Sequence, residues 1–138
     1  MKISTRGRYA LRVMIDLAQN ASEGYVPMKE VANRQGISLK YLERIMPSLS
    51  KNKLVEGVHG NKGGYRLMRD PKDYTVKEIL QISEGDLAPV ACLECGSDPC
   101  PRKDNCKTLP LWEDFQKKIY DYFNNITLQD LVEDKIRM

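Results

Sequence analysis

The sequence has very little histidine and no long apolar run. His59 is the one histidine among 138 residues, and no Ser-His-Asp or Cys-His set, glycine-rich phosphate loop or pair of convergent carboxylates stands out. We therefore expect no enzyme and no small-molecule substrate. No stretch of about 18 apolar residues is present to cross a bilayer, and the first residues lack the apolar core of a secretion signal. The expected location is cytoplasmic, without a membrane partner.

The bulk composition is that of an ordinary folded protein. Hydrophobic residues make up 41% of the chain and charged residues 30%, which is far from disordered or fibrous sequences. A chain of 138 residues supports one modest core with an appended helix, but not two large cores.

Charge is distributed unevenly along the chain. Residues 1–70 carry 13 Lys and Arg against 6 Asp and Glu, a net charge of +7, whereas residues 71–138 carry 9 against 13, a net charge of −4. A basic half suits binding to a polyanion, because each neutralised phosphate releases condensed counterions. The alternative is a solvated surface of uneven charge.

Hydrophobic spacing predicts three helices in the basic half. A first helix capped by Ser4 or Thr5 places apolar residues at intervals of three and four, and leaves arginines and Asp16 on the surface. A short second helix starts at Pro27, and Gly36 suits a tight turn. A third helix is capped by Ser38 and has one apolar stripe, formed by Leu42, Ile45, Met46 and Leu49.

The opposite face of the third helix is polar. Its side chains are hydrogen-bonding or charged, and they belong to Ser38, Lys40, Tyr41, Glu43 and Arg44. Lys40 and Arg44 lie one turn apart and can donate to guanine or to phosphate. Glu43 can accept from cytosine, or it can act as a selectivity element that disfavours other sequences. Pro47 removes a backbone donor, so we expect a kink or a tighter turn near the helix end.

A hairpin with a basic tip follows. Residues 54–59 and 64–68 read as extended segments joined by Gly60-Asn61-Lys62-Gly63. His59, Asn61 and Lys62 can reach a DNA backbone or minor groove from there. The order of these elements is that of a winged helix-turn-helix: a helix, a turn, a second helix that starts with polar residues, and a hairpin. The sequence therefore predicts a mainly α DNA-binding fold with a small β wing.

Four cysteines lie in a loop with little periodicity. Cys92, Cys95, Cys100 and Cys106 read C-x2-C-x4-C-x5-C within residues 86–110. Such spacing lets thiolates surround one soft metal centre, either an iron–sulfur cluster or a zinc ion. Free thiols or a redox disulfide are the other interpretations, and the spacing does not decide between them.

The last third of the chain returns to helical periodicity. Thr75 caps a helix that ends near Gly85, and a long helix from Leu111 to Ile126 precedes a short one capped by Thr127. The apolar stripe of the long helix is too wide for so small a domain to cover, which predicts a homodimer. We expect three regions: a DNA-binding domain (1–85), a cluster-binding loop (86–110), and dimerisation and C-terminal helices (111–138).

Five segments spread over nearly the whole length carry a family resemblance. They read MKISTRGRYALRVMIDLA, GISLKYLERIMPSLSKNKLV, GNKGGYRL, LPLWEDF and FNNITLQDLV. The chain resembles the Rrf-two family of bacterial winged-helix transcription regulators, most closely its iron–sulfur cluster regulator (IscR-like) type. The resemblance implies a winged helix-turn-helix, a long C-terminal helix that crosses its twin in a dimer, and a cysteine loop whose cluster state alters the choice of promoter DNA.

The resemblance also assigns residues and shows departures. Ser38, Lys40, Tyr41, Glu43 and Arg44 match the reading positions of the recognition helix, and His59 stands where the family usually has arginine. The ligands that the resemblance implies are three cysteines and a histidine three residues after the last. Cys92, Cys100 and Cys106 are the counterparts of the three, although Cys95 fits the gap to Cys100 almost equally well.

Leu109 occupies that histidine position and cannot ligate iron. Cys95 is then available as the replacement. Arg8 cannot supply the partner-chain ligand that nitric-oxide-sensing relatives use. The expected cofactor is an iron–sulfur cluster of the 2Fe–2S rather than the 4Fe–4S type, with zinc as the alternative.

Two other functions remain compatible with the residues. One is a cluster-free regulator of sulfur or cysteine metabolism that acts through a protein partner, as some members of the family do. The other is a zinc- or cluster-binding interaction module, for which the polar start of the third helix would serve no purpose.

Overall fold

The computed structural model describes residues 2–137 and is mainly helical. Six α-helices and one two-stranded antiparallel sheet make up its regular structure. No helix in this described part is long and apolar enough to span a membrane. In chain order the elements are α1 Thr5–Gln19, α2 Met28–Gln35, α3 Leu39–Lys51, β1 Val55–Val58, β2 Gly64–Leu67, α4 Val76–Glu84, α5 Leu109–Asn124 and α6 Leu128–Val132.

Side-chain caps start the helices where the sequence predicts them. The Ser4 hydroxyl accepts from the Gly7 N–H at 3.3 Å, which identifies Ser4 as the cap of α1. Ser38 caps α3 in the same way through the Tyr41 N–H at 3.1 Å. At α6, Thr127 and Asp130 cap each other's backbone N–H groups in a reciprocal capping box. These local hydrogen bonds fix each helix start independently of the tertiary fold.

The main core forms between α1, α3 and the base of the hairpin. All four residues of the predicted α3 stripe are buried, and they pack with Val13, Met14 and Leu17 of α1. The predicted amphipathic character of both helices is therefore confirmed. Burial of a large aliphatic side chain contributes about 1.5–3 kcal/mol, so this cluster supplies most of the adhesion that holds α3 against the domain.

Helix α3 continues through Pro47 to Lys51. Pro47 is exposed, and the carbonyl that loses its backbone partner is that of Glu43, on the same solvent side. Water can satisfy that carbonyl, so the proline does not divide the helix as a buried one would. Its place at the solvent surface is the physical reason that α3 remains one element.

The hairpin is the wing expected from the sequence, with slightly shorter strands. Val55 pairs with Leu67 and Val58 with Gly64. Val26 forms an isolated β-bridge with Tyr65 of β2. The Val26 N–H donates to the Tyr65 carbonyl at 2.8 Å, and the Val26 carbonyl accepts from the Tyr65 N–H at 3.0 Å. A Cβ on Gly64 would lie 2.2 Å from the Val26 carbonyl oxygen, so only glycine allows this approach.

A second apolar cluster joins the C-terminal helices to the body. Val76, Leu80 and Leu87 form its buried centre, and Tyr120 and Phe123 of α5 pack against it. The start of α4 is also tied to the start of α6, because the Val76 N–H donates to the Ile126 carbonyl at 2.9 Å. Helix α5 thus rests on α4 through one face.

A close contact joins the end of α4 to the start of α1. One oxygen of Glu84 accepts from the Ser4 N–H at 3.0 Å and from the Ser4 hydroxyl at 2.6 Å. A Cβ on Gly7 would lie 2.1 Å from that same oxygen. The absence of a side chain at Gly7 is therefore what lets the carboxylate reach the cap.

The side chain of Tyr74 connects three parts of the fold. It is fully buried, and its hydroxyl donates to the Leu54 carbonyl at 2.6 Å. The same hydroxyl accepts from the N–H groups of Met68 and Arg69 at 3.0 and 3.1 Å. Burial raises the pKa of Tyr74, so the hydroxyl stays protonated and keeps donating. These bonds hold the end of α3, the end of the wing and the start of α4 together.

Replacing Tyr74 with phenylalanine tests this connection. Tyr74→Phe leaves one buried acceptor and two backbone donors without their partner, so we expect the free energy of unfolding to fall by about 1–3 kcal/mol. Urea denaturation followed by circular dichroism measures the change. Tyr9→Phe is the control, because the Tyr9 hydroxyl makes no hydrogen bond within residues 2–137. Equal stability of the two variants would contradict the assignment.

Candidate functional site

The polar face of α3 is open to solvent. Ser38, Lys40, Glu43 and Arg44 are all exposed, and Tyr41 is half-buried with its ring edge against Tyr9 at 5.4 Å between centroids. Within residues 2–137 the side chains of Lys40, Glu43 and Arg44 form no hydrogen bond or ion pair. Two cationic groups and one anionic group are therefore available to an external partner on the same face of one helix.

Asp16 is buried, which corrects the expectation that it lies on the surface. Its side chain is 1% exposed and accepts from Arg34 through two guanidinium nitrogens, at 3.0 and 2.8 Å. The Gln35 amide donates to the same carboxylate at 3.0 Å. Because Arg34 and Gln35 close α2, this cluster of polar bonds fixes α2 against α1. The sequence gives no local sign of it, since the partners lie 18 and 19 residues away.

The turn between α2 and α3 is held in one conformation. Gly36 has φ of 64°, the left-handed region that glycine adopts without strain. Arg12 binds Gln35 just before this turn, donating to its carbonyl and, at 3.2 Å, to its side-chain oxygen. The helix-turn-helix therefore presents α3 at a defined angle.

Arg6 lies beside the polar face of α3. With Arg44 and Ser48 it lines a small depression between α1 and α3, and within residues 2–137 its side chain has no hydrogen-bond or ion-pair partner. The sequence interpretation placed Arg6 only on the general surface of α1. Nothing in the local pattern distinguishes it from Arg8 or Arg12, because proximity to Arg44 arises only when α1 and α3 pack.

The wing tip exposes the three residues expected there. His59, Asn61 and Lys62 are all solvent-exposed, and the Gly63 N–H closes the tip by donating to the Gly60 carbonyl at 2.9 Å. At the base of the wing, Arg66 pairs with Glu56 and lies over the Tyr25 ring at 4.5 Å. The base is thus internally paired, and the tip is free for contacts.

Several arginines of the basic half are structural. Arg34 pairs with Asp16, Arg66 with Glu56, and Arg69 with Glu78 through two nitrogens at 2.9 and 2.8 Å. In each case the hydrogen bond that the guanidinium donates to the carboxylate raises the pKa of the arginine. Two of these pairs lie within residues 1–70 and are already counted in the net charge of +7, and only the Arg69–Glu78 pair reaches outside that half. Arg6, Lys40, Arg44 and Lys62 are among the basic residues whose side chains have no ion-pair partner within residues 2–137.

The cysteine loop has little regular structure. It contains two single turns of 3-10 helix, Ala91–Leu93 and Lys103–Asn105, and its internal hydrogen bonds are mostly short-range turns. Cys92, Cys95 and Cys100 are exposed, and Cys106 is partly covered. A loop with so few stabilising contacts has a low cost of local rearrangement.

Three of the four cysteines line one cavity. Cys92, Cys100 and Cys106 border a space of about 300 Å³ between the loop and the first turns of α5. Asp98, Lys103, Leu109 and Glu113 are also among the residues that line it. Within residues 2–137 no three such donors are already arranged to hold a metal ion. The thiols share a cavity but have not converged to ligand distance.

Cys95 lies outside that cavity. Its backbone N–H donates to Asp86 Oδ2 at 2.8 Å, while Asp86 Oδ1 accepts from the Ala88 N–H at 2.8 Å. Asp86 is thus a tether between the end of α4 and this part of the loop. The expectation that all four cysteines share one metal site stays a prediction, and Cys95 does not line the cavity that the other three border.

The chemistry of the cavity fits a thiolate-bound metal group. Hydrogen bonding with the Thr108 side chain, whose hydroxyl lies 3.3 Å from the sulfur, lowers the pKa of Cys106, which favours the thiolate that binds metal. Leu93, Pro99 and Leu109 add an apolar lining, and an apolar surround is one of the features that tune a bound metal group.

One face of α5 is apolar and open. Leu111, Phe115 and Tyr122 are 57%, 42% and 56% exposed. At about 100° of rotation per residue these three side chains lie within roughly 40° of one another. They form a stripe that faces away from the α4 contact.

A comparison with protein-family models decides the family. Residues 3–134 match the Rrf2 model, described as iron-dependent transcriptional regulator. The chain belongs to the Rrf2 family. Members of this family are regulators of transcription, so the expectation of a regulator and not an enzyme is confirmed.

Named relatives and solved structures agree with the family. The HTH-type transcriptional regulator IscR of Pectobacterium atrosepticum is 38% identical over 135 residues, which cover 98% of this chain and 81% of that protein. The structure of T. potens IscR is 36% identical with a TM-score of 0.76, covering 98% of this chain and 88% of that one. CymR, the global cysteine regulator of B. subtilis, is 34% identical with a TM-score of 0.76, covering 96% and 97%. The mainly helical winged-helix fold is thereby confirmed.

Proposed function

We propose that this Rrf2-family regulator binds double-stranded promoter DNA by inserting α3 into the major groove and placing the wing beside it. The supporting observation is the exposed polar face of α3, whose charged side chains have no partner within residues 2–137. An α-helix fits the major groove of B-DNA, and its leading residues contact base edges. The buried stripe on the other side of α3 keeps the helix attached to the domain.

Each residue of the face has a distinct role in this proposal. Lys40 and Arg44 donate to guanine, and Glu43 accepts from cytosine and disfavours other bases. Ser38 and Tyr41 donate to phosphates or base edges near the helix start. Glu43 contributes selectivity more than affinity, since a carboxylate near phosphates is otherwise repelled.

Contacts outside α3 position the protein on the duplex. Lys62 and Asn61 at the wing tip contact the backbone, and His59 occupies the adjoining wing position. Arg6 extends the same cationic surface from α1 and suits a phosphate next to the groove. These contacts carry no base information and set the register of α3.

Alanine substitutions separate the two kinds of contact. Lys40→Ala and Arg44→Ala should each lower the preference for a selected site over scrambled duplex by about tenfold or more, since a good base contact is worth about 1–3 kcal/mol. Lys62→Ala should weaken binding to both duplexes alike. It should also reduce the slope of log affinity against log salt concentration by about 0.9. The assay is titration against a duplex selected by the wild-type protein from random sequence, at several salt concentrations.

Lys72→Ala is the control for that assay, because Lys72 is exposed and lies in the short turn next to α6. It removes the same charge and should leave both affinities unchanged. Retained sequence preference in Lys40→Ala and Arg44→Ala would contradict the groove assignment.

We propose further that the regulator acts as a homodimer through the open stripe of α5. Leu111, Phe115 and Tyr122 leave an apolar stripe uncovered, with Lys118 at its edge, and a second copy can cover it symmetrically. A dimer also places two α3 helices on one duplex, which matches the half-sites that such regulators read.

A charge within the stripe should separate the copies. The wild-type chain of 15.8 kDa should run at twice that mass in native mass spectrometry, and Phe115→Glu should run as a monomer because a carboxylate is buried without a partner. Asn124→Glu introduces the same charge on an exposed position of α5 away from the stripe and should stay dimeric. A monomeric wild-type protein would disprove the dimer.

We propose that the cysteine loop, residues 86–110, holds an iron–sulfur cluster between the DNA-binding domain (1–85) and the dimerisation and C-terminal helices (111–138). Cys92, Cys100 and Cys106 supply thiolates from the shared cavity. The cluster, of the 2Fe–2S type, supplies a redox- and iron-sensitive bond network to a loop that has few contacts of its own. Loop order then changes with cluster occupancy, and with it promoter choice.

A cluster-free regulator of cysteine metabolism is the second candidate. The observation that favours it is the likeness to CymR, the global cysteine regulator of B. subtilis. In that case the cysteine thiols carry no iron, and they are either free or bound to zinc. The metal content of the purified protein discriminates between the candidates.

Anaerobic purification tests the cluster. We expect a coloured protein with iron and sulfide in equal amounts and visible charge-transfer absorption. Cys100→Ser should lose colour and iron, because it removes a ligand from the cavity, yet keep the helical circular dichroism. Colourless wild-type protein that binds its selected duplex tightly would favour the cluster-free candidate, and a stoichiometric zinc ion would favour the zinc site.

A further inference from the structure

The cavity offers three thiols, and a four-ligand site needs one more donor. This inference rests on the cluster proposed above. Cys95 is the obvious candidate by sequence, but it lies outside the cavity, with its backbone held by Asp86 at 2.8 Å. Leu109 lines the cavity and has no donor atom. The side-chain carboxylates that line it are those of Asp98 and Glu113.

The two carboxylates approach the cavity from different sides. Asp98 is separated from Cys100 only by Pro99. A donor from Asp98 would therefore reach the metal from the same side as the Cys100 thiolate. Glu113 stands on α5, one turn after Leu109 and on the same face of that helix. Tetrahedral iron needs ligands that converge from separate directions, which the helix side provides.

The Glu113 carboxylate is free to bind. Within residues 2–137 it takes part in no hydrogen bond or ion pair, whereas the neighbouring Asp114 is paired with Lys118 at 2.6 Å. Lys103 lines the same cavity and can offset part of the negative charge that a carboxylate ligand adds.

We propose that Glu113 is the fourth ligand of the cluster, completing a site of three cysteines and one carboxylate. The carboxylate leaves the cluster one charge more negative than a neutral histidine would, which lowers its reduction potential.

The position of Glu113 also attaches the cluster to a helix. Glu113 lies about 160° to 200° around α5 from Leu111, Phe115 and Tyr122, close to the opposite side of the helix. Binding of Glu113 therefore fastens the cysteine loop to the back of the face proposed for dimerisation. Loss of the cluster frees the loop from that helix.

Chelator challenge of the loaded protein tests the ligand. Wild-type protein is reconstituted anaerobically with ⁵⁷Fe and sulfide, and EDTA is added while visible absorption is followed. We expect Glu113→Gln to lose its cluster about tenfold faster or more. Asp114→Asn is the matched control on the same helix and should behave as wild type. Circular dichroism confirms that the variants are folded.

A gain-of-ligand variant gives a spectroscopic readout. Glu113→Cys should form an all-thiolate cluster, so the distinct Mössbauer doublet of the iron that carries oxygen in the wild type should merge with that of the thiolate-bound iron. An unchanged spectrum in Glu113→Cys would overturn the proposal.

Three other outcomes would overturn either the Glu113 ligand or the cluster itself. If Glu113→Gln keeps the wild-type rate while Cys95→Ser loses the cluster quickly, the site has four cysteines and the proposal is wrong. Fast loss in Asp98→Asn alone would place the carboxylate on the loop arm and also overturn it. Wild-type protein that takes up no iron would instead refute the cluster function itself.

Discussion

The three hydrogen bonds of the Tyr74 hydroxyl determine how the DNA-facing parts are arranged. They join the residue after α3, the last residues of the wing and the start of α4, while the Tyr74 carbonyl accepts from the first N–H of α6 at 3.0 Å. The proposed binding to DNA needs α3 and the wing tip at one fixed separation, since both would have to reach the same duplex. The buried phenol of Tyr74 supplies that restraint from the segment between β2 and α4. The C-terminal helices are attached to the same residue through its carbonyl.

The cysteine loop is organised on the opposite principle. The body of the fold is held by buried side chains and reciprocal caps. The loop instead has short turns and mostly exposed thiols, and it is attached at its start through the Asp86 carboxylate and the buried side chain of Leu87. A segment of this kind gains order from whatever binds it. The division suits a regulator, because the part that recognises DNA is rigid on its own and the part proposed to sense a cofactor depends on its ligand.

Local patterns predicted most of the fold and only part of the site. Caps at Ser38 and Thr127 and the buried stripe of α3 follow from neighbours within a turn, so the sequence shows them directly. Asp16 was assigned to the surface because its partners Arg34 and Gln35 are distant in the chain and meet it only after packing. Spacing treats four cysteines as equivalent, and the bond from Cys95 to Asp86 that separates one of them depends on where α4 ends. Glu113 and Arg6 were not singled out, since their neighbours are brought to them by tertiary contacts.

The hydrogen atom at Gly7 has an effect beyond its own helix. Because nothing larger occupies that position, the Glu84 oxygen reaches Ser4, and two helices meet at backbone distance. The cysteine loop begins just two residues after Glu84. The start of the cysteine loop is thereby anchored to the same short stretch that carries Arg6, so the segment proposed to sense a cluster and the edge of the proposed DNA surface are held to one part of the fold.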